Sequence, residues 1–188
     1  MTTMQNFQDK PTLTLIDTHA HLTDKAFEED RDEIILKSHE MGVENIITSG
    51  FNLPSSNDAV FLANSHDGVY ASVGVYPENI LELDYGTFEK LITLAQNEKV
   101  VAIGEIGLQY TENMPPKEKQ KKGLIRQLKL AYELNLPVVL HCRDAYGDML
   151  DILKANKELL KFGGTMHCFS GSREVASKLL KLGLHISV

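Results

Sequence analysis

The chain has 188 residues, of which 43% are hydrophobic, and this is enough for one domain with a substantial core. Acidic residues outnumber basic ones by 26 to 19, and the net charge of −7 argues against a general polyanion-coating protein. The charge does not exclude a nucleic-acid substrate, because bound divalent cations would reverse the local sign of an acidic pocket. No apolar stretch approaches the roughly 18 residues of a membrane span. The N-terminus shows no secretory signal, so the sequence predicts a cytoplasmic protein.

Short apolar runs alternate with segments of helical periodicity along the whole chain. The first predicted strand is the run that contains Leu13, Leu15 and Ile16, which should be buried. Further strands are predicted over residues 44–49, 69–75, 100–106, 138–141, 164–168 and 184–188. Helices are predicted over residues 30–41, 54–66, 87–97, 117–134, 146–154 and 174–182. Such alternation is typical of parallel βαβ units.

Seven strands in strict alternation, with polar residues gathered where strands end, favour an α/β fold of the (β/α)₈ barrel type. No Gly-rich phosphate loop follows the first strand, which disfavours a dinucleotide-binding sheet. We expect an N-terminal extension over residues 1–12 and one barrel domain over residues 13–188. A complete barrel typically needs about 250 residues, so the sequence predicts an incomplete one, without the eighth strand and last helices.

Three polar residues alternate directly after the first apolar run. Asp17, His19 and His21 would project to one side of an extended chain, with the two histidines roughly 7 Å apart. Their rings would then converge on one metal ion, while a carboxylate on the same side would orient a ring by accepting its other N–H. The alternative is a pair of ordinary hydrogen-bonded histidines at a strand end.

Other predicted strands end in possible ligands too. Glu105 ends the fourth strand, His141 the fifth and His167 the sixth, whereas the remaining histidines fall outside this pattern. Strand C-termini surround one mouth of a barrel, so these residues should meet there in a nitrogen and oxygen site suited to zinc or manganese. Cys142 and Cys168 each follow a ligand candidate, and we expect both to be reduced, buried thiols.

A basic run lies on the predicted helix over residues 117–134. It resembles a nucleic-acid patch, but the helix must turn its apolar face to the sheet. We therefore expect this basic run to be a solvated outer face.

Four motifs, IDTHAHL, GEIGL, LNLPVVLHCRDA and MHCFSGS, resemble in order and spacing those of the TatD family of metal-dependent deoxyribonucleases. The resemblance runs from about Leu13 to the end of the chain. It implies a (β/α)₈ barrel, two divalent ions (zinc, manganese or magnesium) and cleavage of phosphodiester bonds by a metal-activated hydroxide, with DNA as the substrate and RNA as the further candidate.

The resemblance also implies roles for individual residues. His19, His21 and Glu105 would hold one ion, and Glu105, His141 and His167 the other, which makes the bridging Glu105 the catalytic position. Arg143 and Arg173 stand in loops beside these ligands and would contact substrate phosphates. The alternative for the arginines is local pairing with Asp144 or Glu174. The implied ligands are His19, His21, Glu105, His141 and His167.

Three departures from the family pattern bear on activity. Gln109 stands where the family usually carries aspartate, and Tyr76, which replaces a histidine, is expected to remove a polar residue from the mouth. The aspartate that usually ends the eighth strand has no counterpart, so we expect impaired activity, with Asp17 the first substitute as proton acceptor. Open barrel edges would favour self-association or pairing with a C-terminal fragment. The alternatives are an amidohydrolase-type enzyme that cleaves a C–N or ester bond, and a metal-binding product without turnover.

Overall fold

The structure is a computed structural model and describes residues 14–188. The extension predicted over residues 1–12 and the start of the first strand at Leu13 lie outside the described residues. Within them, one parallel sheet contains all seven strands in the order in which they occur along the chain. The prediction of an α/β fold of the (β/α)₈ type with about seven strands is therefore confirmed.

Strands and helices alternate as predicted, with ends that differ from the prediction by a few residues. The strands are β1 (Leu15–Ala20), β2 (Val43–Ser49), β3 (Val69–Val73), β4 (Val100–Gln109), β5 (Val138–Arg143), β6 (Gly164–Met166) and β7 (Leu184–Ile186). The helices are α1 (Arg31–Glu40), α2 (Leu53–Ser65), α3 (Tyr85–Leu94), α4 (Lys117–Glu133), α5 (Tyr146–Ala155) and α6 (Arg173–Lys181). Three short 3₁₀ helices, Lys25–Phe27, Pro77–Glu82 and Lys157–Leu160, were not predicted, because three to six residues carry too little periodicity.

Side-chain caps explain where several helices begin. The Asn52 side chain accepts the Ser55 N–H at 2.9 Å while the Ser55 hydroxyl accepts the Asn52 N–H at 3.0 Å, and this reciprocal pair begins α2. Asp84 caps α3 by a single bond, accepting the Thr87 N–H at 2.7 Å. None of the helices within residues 14–188 has the length and apolar character that crossing a membrane requires.

The sheet curves strongly. The rings of His19 on β1 and His167 just after β6 stack with their centroids 4.0 Å apart. In a flat sheet, five strand spacings would separate β1 from β6 by about 24 Å. The curvature therefore brings the C-terminal ends of first and sixth strands into contact, as an incomplete barrel requires.

The prediction that the first strand is buried is wrong for its apolar start. Leu15 and Ile16 are 45% and 57% exposed. β1 lies at one end of the strand order and, within residues 14–188, pairs with β2 alone. Its apolar side chains therefore lack the second neighbouring strand that buries the equivalent residues of β3 and β4.

Helix α4 covers the sheet with a stripe that includes the fully buried Leu124, Leu128 and Ala131. The opposite face is the solvated outer face that was expected, with exposed lysines at 117, 119, 122 and 129. The stripe also contains two fully buried glutamines, Gln120 and Gln127. Both make paired hydrogen bonds to backbone at a strand end, Gln120 to the last residue of β4 and Gln127 to the segment after β3.

Gln127 makes its pair of hydrogen bonds to the segment that follows β3. Gln127 accepts the Val75 N–H at 2.7 Å and donates to the Val75 carbonyl at 3.0 Å. Val75 is itself fully buried, so its backbone has no access to water. The glutamine amide therefore does for this loop what a neighbouring strand does for a sheet residue.

We expect Gln127→Met to lower the free energy of unfolding by about 1–3 kcal/mol for each backbone group of Val75 left unpaired. Methionine has a similar shape but offers no matching donor and acceptor. Urea unfolding checks this, with Gln96→Met on the exposed surface as the matched control. A loss no larger than that of the control would contradict the role of Gln127.

Candidate metal centre

One carboxylate from the middle of β4 meets four imidazoles from the C-terminal ends of β1, β5 and β6. The prediction that Glu105 ends its strand is wrong, because β4 continues to Gln109. Glu105 lies on β4, His19 on β1 and His141 on β5, while His21 and His167 follow β1 and β6 directly. Each strand alternates its side chains between two faces, and the curved sheet turns these five to a common point. The structure thus brings together the five residues that the sequence analysis singled out.

Glu105 is the centre of this cluster and is only 3% exposed. Its Oε2 lies 3.4 Å from His19 Nε2 and 3.3 Å from His21 Nε2. Its Oε1 lies 2.6 Å from His167 Nε2 and 3.1 Å from His141 Nδ1. Each carboxylate oxygen therefore faces two rings, which divides the cluster into two groups that share Glu105.

Both groups have the composition of a divalent-metal site. In each, one ligand atom from every residue lies within 4.8 Å of the others: His19 with His21 and Glu105, and Glu105 with His141 and His167. Imidazole nitrogens with a carboxylate oxygen suit zinc, manganese and similar ions. The chemistry of the donor set therefore fits two metal ions that share one carboxylate.

The histidines also hold Glu105 in its charged form. Burial alone would raise the pKa of the Glu105 carboxyl, but hydrogen bonds to four imidazole rings outweigh it and hold that pKa far below its usual range. The bond to Glu105 raises the pKa of His21, whereas burial lowers the pKa of the more enclosed His19. Metal ligands must be a carboxylate and neutral imidazoles, and the cluster already favours the carboxylate.

Ser49 orients the two rings of β1, a role that the sequence analysis gave to a carboxylate such as Asp17. Its hydroxyl lies 3.1 Å from His19 Nδ1 and its carbonyl 3.1 Å from His21 Nδ1, while Ser72 donates to that hydroxyl at 2.9 Å. Asp17 instead accepts the backbone N–H of His19 at 3.0 Å and is exposed. The signal for Ser49 was only its position, as the last residue of the predicted second strand.

A cavity of about 430 Å³ adjoins the cluster. Glu105 and His21 form the side that faces the cluster, and Phe51 and Tyr76 contribute aromatic walls. Its remaining lining residues are Asp24, Glu78 and Asn79. The lining thus combines flat apolar surface with carboxylates and, among the described residues, lacks lysine and arginine.

A protein-family model described as TatD related DNase matches residues 16–188. The chain belongs to this TatD family. It is 38% identical to the "uncharacterized metal-dependent hydrolase YabD" of Bacillus subtilis, over 92% of this chain and 68% of that protein. It is 33% identical to the "3'-5' ssDNA/RNA exonuclease TatD" of Escherichia coli K12, over 93% of this chain and 66% of that protein.

Solved structures agree with the family assignment. The TatD homologue YJJV of Escherichia coli superposes with a TM-score of 0.85 at 32% identity, over 92% of this chain and 66% of that one. A TatD family hydrolase of Entamoeba histolytica gives 0.83 at 30% identity, over 93% and 64%. The chain thus spans about two thirds of the length of the relatives it matches.

Two of the three departures from the TatD pattern, Tyr76 and Gln109, lie against the same ring. The Tyr76 hydroxyl lies 2.9 Å from His141 Nε2 and donates to Gln109 Oε1 at 2.5 Å. The prediction that Tyr76 removes a polar group from the mouth is therefore wrong, because its phenol reaches the ring from the end of the loop after β3.

The two arginines lie on exposed positions near the mouth, Arg143 as the last residue of β5 and Arg173 as the first of α6. Within residues 14–188, neither makes an ion pair with Asp144 or Glu174. The local ion pairs considered in the sequence analysis are therefore not formed by these arginines.

The cysteines differ from each other. Cys142 is buried as predicted, and burial raises the pKa of its thiol to about 12. Cys168 is exposed, so the prediction of burial is wrong for this residue. β6 ends at Met166, two residues earlier than expected, and Cys168 therefore lies in the loop, with a φ of +45°.

We expect Glu105→Gln to lower the pKa of His21 in chelator-treated protein. The carboxylate is the main cause that raises this pKa, and an amide lacks its charge. NMR titration of the His21 ring measures the shift, and Glu98→Gln at an exposed position is the matched control. A His21 pKa that stays the same or rises in Glu105→Gln would contradict this account of the cluster.

Proposed function

We propose that this chain is a divalent-metal-dependent hydrolase that cleaves phosphodiester bonds in single-stranded DNA or RNA. The observation that carries the proposal is the buried Glu105 carboxylate shared by two histidine pairs at the mouth of the sheet. Membership of the TatD family and the exonuclease name of the Escherichia coli relative support the same chemistry. The cytoplasmic location expected from the sequence stays a prediction.

The proposed ligands are His19, His21 and Glu105 for one ion and Glu105, His141 and His167 for the other. Two bound divalent ions would polarise a phosphoryl oxygen, activate water and stabilise the leaving oxygen. The candidate metals are zinc, manganese and magnesium.

The cavity supports a division of the substrate between two regions. Asp24 and Glu78 line it and would repel phosphate, so we assign the phosphate to the cluster. The cavity would then take an uncharged nucleoside, with its base against Phe51, since aromatic rings stack any base. Exposed Arg143 and Arg173 would contact phosphates further along the strand.

The alternative from the sequence is hydrolysis of a C–N or ester bond by the same ligands. The cluster serves either reaction, because both need an activated water and a polarised oxygen. What favours the nuclease is the pair of exposed arginines near the mouth, which a small neutral ester does not require. The proposal assigns no proton transfer to Asp17, because its side chain is exposed and hydrogen-bonds to the backbone N–H of His19.

We expect the protein with Mn²⁺ or Mg²⁺ to shorten end-labelled single-stranded DNA, and His167→Ala to lose at least about 10–100-fold in rate. Removing a ligand should cost no less than the 10–100-fold typical of losing a group that supports one. His185→Ala, an exposed histidine on β7, is the matched control.

The same preparations should be assayed with nitrophenyl ester and amide substrates. Cleavage of those substrates without cleavage of nucleic acid would replace the proposal by the alternative. Metal binding without turnover of any substrate would leave a metal-binding protein that is not an enzyme.

We further expect the group of Glu105, His141 and His167 to bind zinc more tightly than the group on β1. Its rings lie closer to the carboxylate, and His21 is 37% exposed whereas His141 is 15% exposed. Calorimetric titration of metal-free protein should show that His141→Ala weakens the tightest binding event by about 10–100-fold or more. A larger effect of His19→Ala on that event would reverse the assignment.

Association with a second copy, or with a C-terminal fragment, through the edges of β1 and β7 also remains a proposal. It is supported by the exposed Leu15 and Ile16 on β1. Sedimentation velocity at increasing protein concentration would refute self-association if the chain stayed monomeric throughout.

A further inference from the structure

Tyr76 and Gln109 form a compact triangle of polar atoms with the outer nitrogen of His141. Gln109 Oε1 lies 3.0 Å from His141 Nε2, and the Tyr76 hydroxyl oxygen lies 2.9 Å from that nitrogen. The third side is the hydrogen bond that the Tyr76 hydroxyl donates to Gln109 Oε1 at 2.5 Å. All three atoms lie on the side of the ring that faces away from Glu105.

The positions of the hydrogens in this triangle follow from the orientation of the Gln109 amide. Gln109 Nε2 donates to Thr111 Oγ1 at 3.0 Å, which turns the amide oxygen toward His141. The Tyr76 hydroxyl donates its hydrogen to that amide oxygen. His141 Nε2 therefore faces two acceptors, the amide oxygen and the hydroxyl oxygen, and must carry a hydrogen. A metal ligand must be a neutral imidazole with one N–H, so with metal bound the lone pair would be on Nδ1, the atom that hydrogen-bonds to Glu105 when no metal is bound.

Nδ1, the nitrogen that keeps the lone pair, lies among the other residues of the proposed metal site. Nδ1 lies 3.1 Å from Glu105 Oε1 and 3.2 Å from His167 Nε2. A lone pair that faces a carboxylate oxygen at this distance is favourable when both atoms bind a shared cation. The triangle thus prepares His141 as a metal ligand through Nδ1.

Helix α4 holds the backbone of one partner of His141 directly and that of the other through the preceding residue. Gln120 accepts the Gln109 N–H at 2.8 Å and donates to the Gln109 carbonyl at 2.9 Å. Gln127 makes the equivalent pair of bonds to Val75, the residue before Tyr76. The two glutamines are seven residues apart, about two helical turns, and so lie on one face of the helix.

We propose that Tyr76 and Gln109 act together as positioning residues that keep His141 in the Nε2–H tautomer and aim Nδ1 at Glu105 and His167. The inference rests on the metal centre of the proposed function and adds a role for two residues that hold no metal. Because both partners are neutral, they raise the basicity of the ring less than a carboxylate would.

The test is zinc affinity, measured by calorimetry on the whole chain. Gln109→Met keeps the shape of the side chain and removes the acceptor, so the binding event assigned to His141 should weaken about 10–100-fold while the other stays unchanged. Gln109→Glu restores an acceptor and should bind zinc at least as tightly as wild type. Tyr76→Phe should weaken the same event less, and its effect should shrink in the Gln109→Met background.

Matched controls separate positioning from a general structural effect. Gln96→Met and Tyr70→Phe make the same chemical changes away from the cluster and should leave both zinc affinities unchanged. A folding defect in Gln109→Met would appear in its circular dichroism, and the other variants would then decide the outcome. Tyr76→Phe leaves the bonds between Gln120 and Gln109 in place.

Nitrogen NMR of the zinc-loaded protein provides a second readout. We expect His141 to show a protonated Nε2 and a metal-bound Nδ1 in wild type, and a mixture of tautomers in Gln109→Met. Zinc bound through Nε2, or equal zinc affinity in wild type and Gln109→Met, would overturn the inference. Absence of zinc binding by wild type would overturn the metal centre as well, whereas absence of DNA cleavage alone would overturn only the nuclease.

Discussion

The buried carboxylate of Glu105 is the group on which the rest of the site depends. A charged carboxylate away from water is costly unless it is paired and hydrogen-bonded, and here four imidazole rings provide the partners. These rings come from three other strand ends, so the sheet must curve until those ends meet. The local chemistry of one side chain and the global curvature of the sheet are therefore mutually dependent.

The imidazole rings surround that carboxylate, and polar groups in turn hold the rings. The rings face Glu105 with one nitrogen, and for His19, His21 and His141 the other nitrogen meets a polar group, Ser49 for the first two and Tyr76 with Gln109 for the third. The sheet and α4 then position those polar groups. Rigid elements thus support every step from the helix to the ligand atoms, which limits how far a ring can turn.

The buried glutamines of α4 show how polar residues in a core serve a site. An apolar residue at either position would pack against the sheet, but it would leave backbone groups unpaired at the end of β4 or in the loop after β3. Gln120 and Gln127 satisfy those groups and at the same time set the places from which Gln109 and Tyr76 reach His141. Stability and site geometry are in this case properties of the same hydrogen bonds.

The overall negative charge is compatible with a polyanionic substrate for a local reason. The acidic cavity and the Glu105 cluster would repel phosphate by themselves, and cations bound at the cluster would reverse that sign. Binding of metal and binding of nucleic acid would then be linked. The exposed arginines add positive charge only near the mouth.

The sequence by itself determined the alternation of strands and helices, the parallel sheet and the five residues that meet at its mouth. These follow from local periodicity and from the rule that parallel strands present their C-terminal ends on one side. Only the tertiary structure decided that Leu15 and Ile16 are exposed, because burial depends on which strands become neighbours. It also decided that Ser49 rather than Asp17 orients the rings of β1, and that Tyr76 and Gln109 meet at His141. Those contacts join residues about 30 to 65 positions apart in the sequence, and no local sequence pattern predicts contacts between residues so far apart.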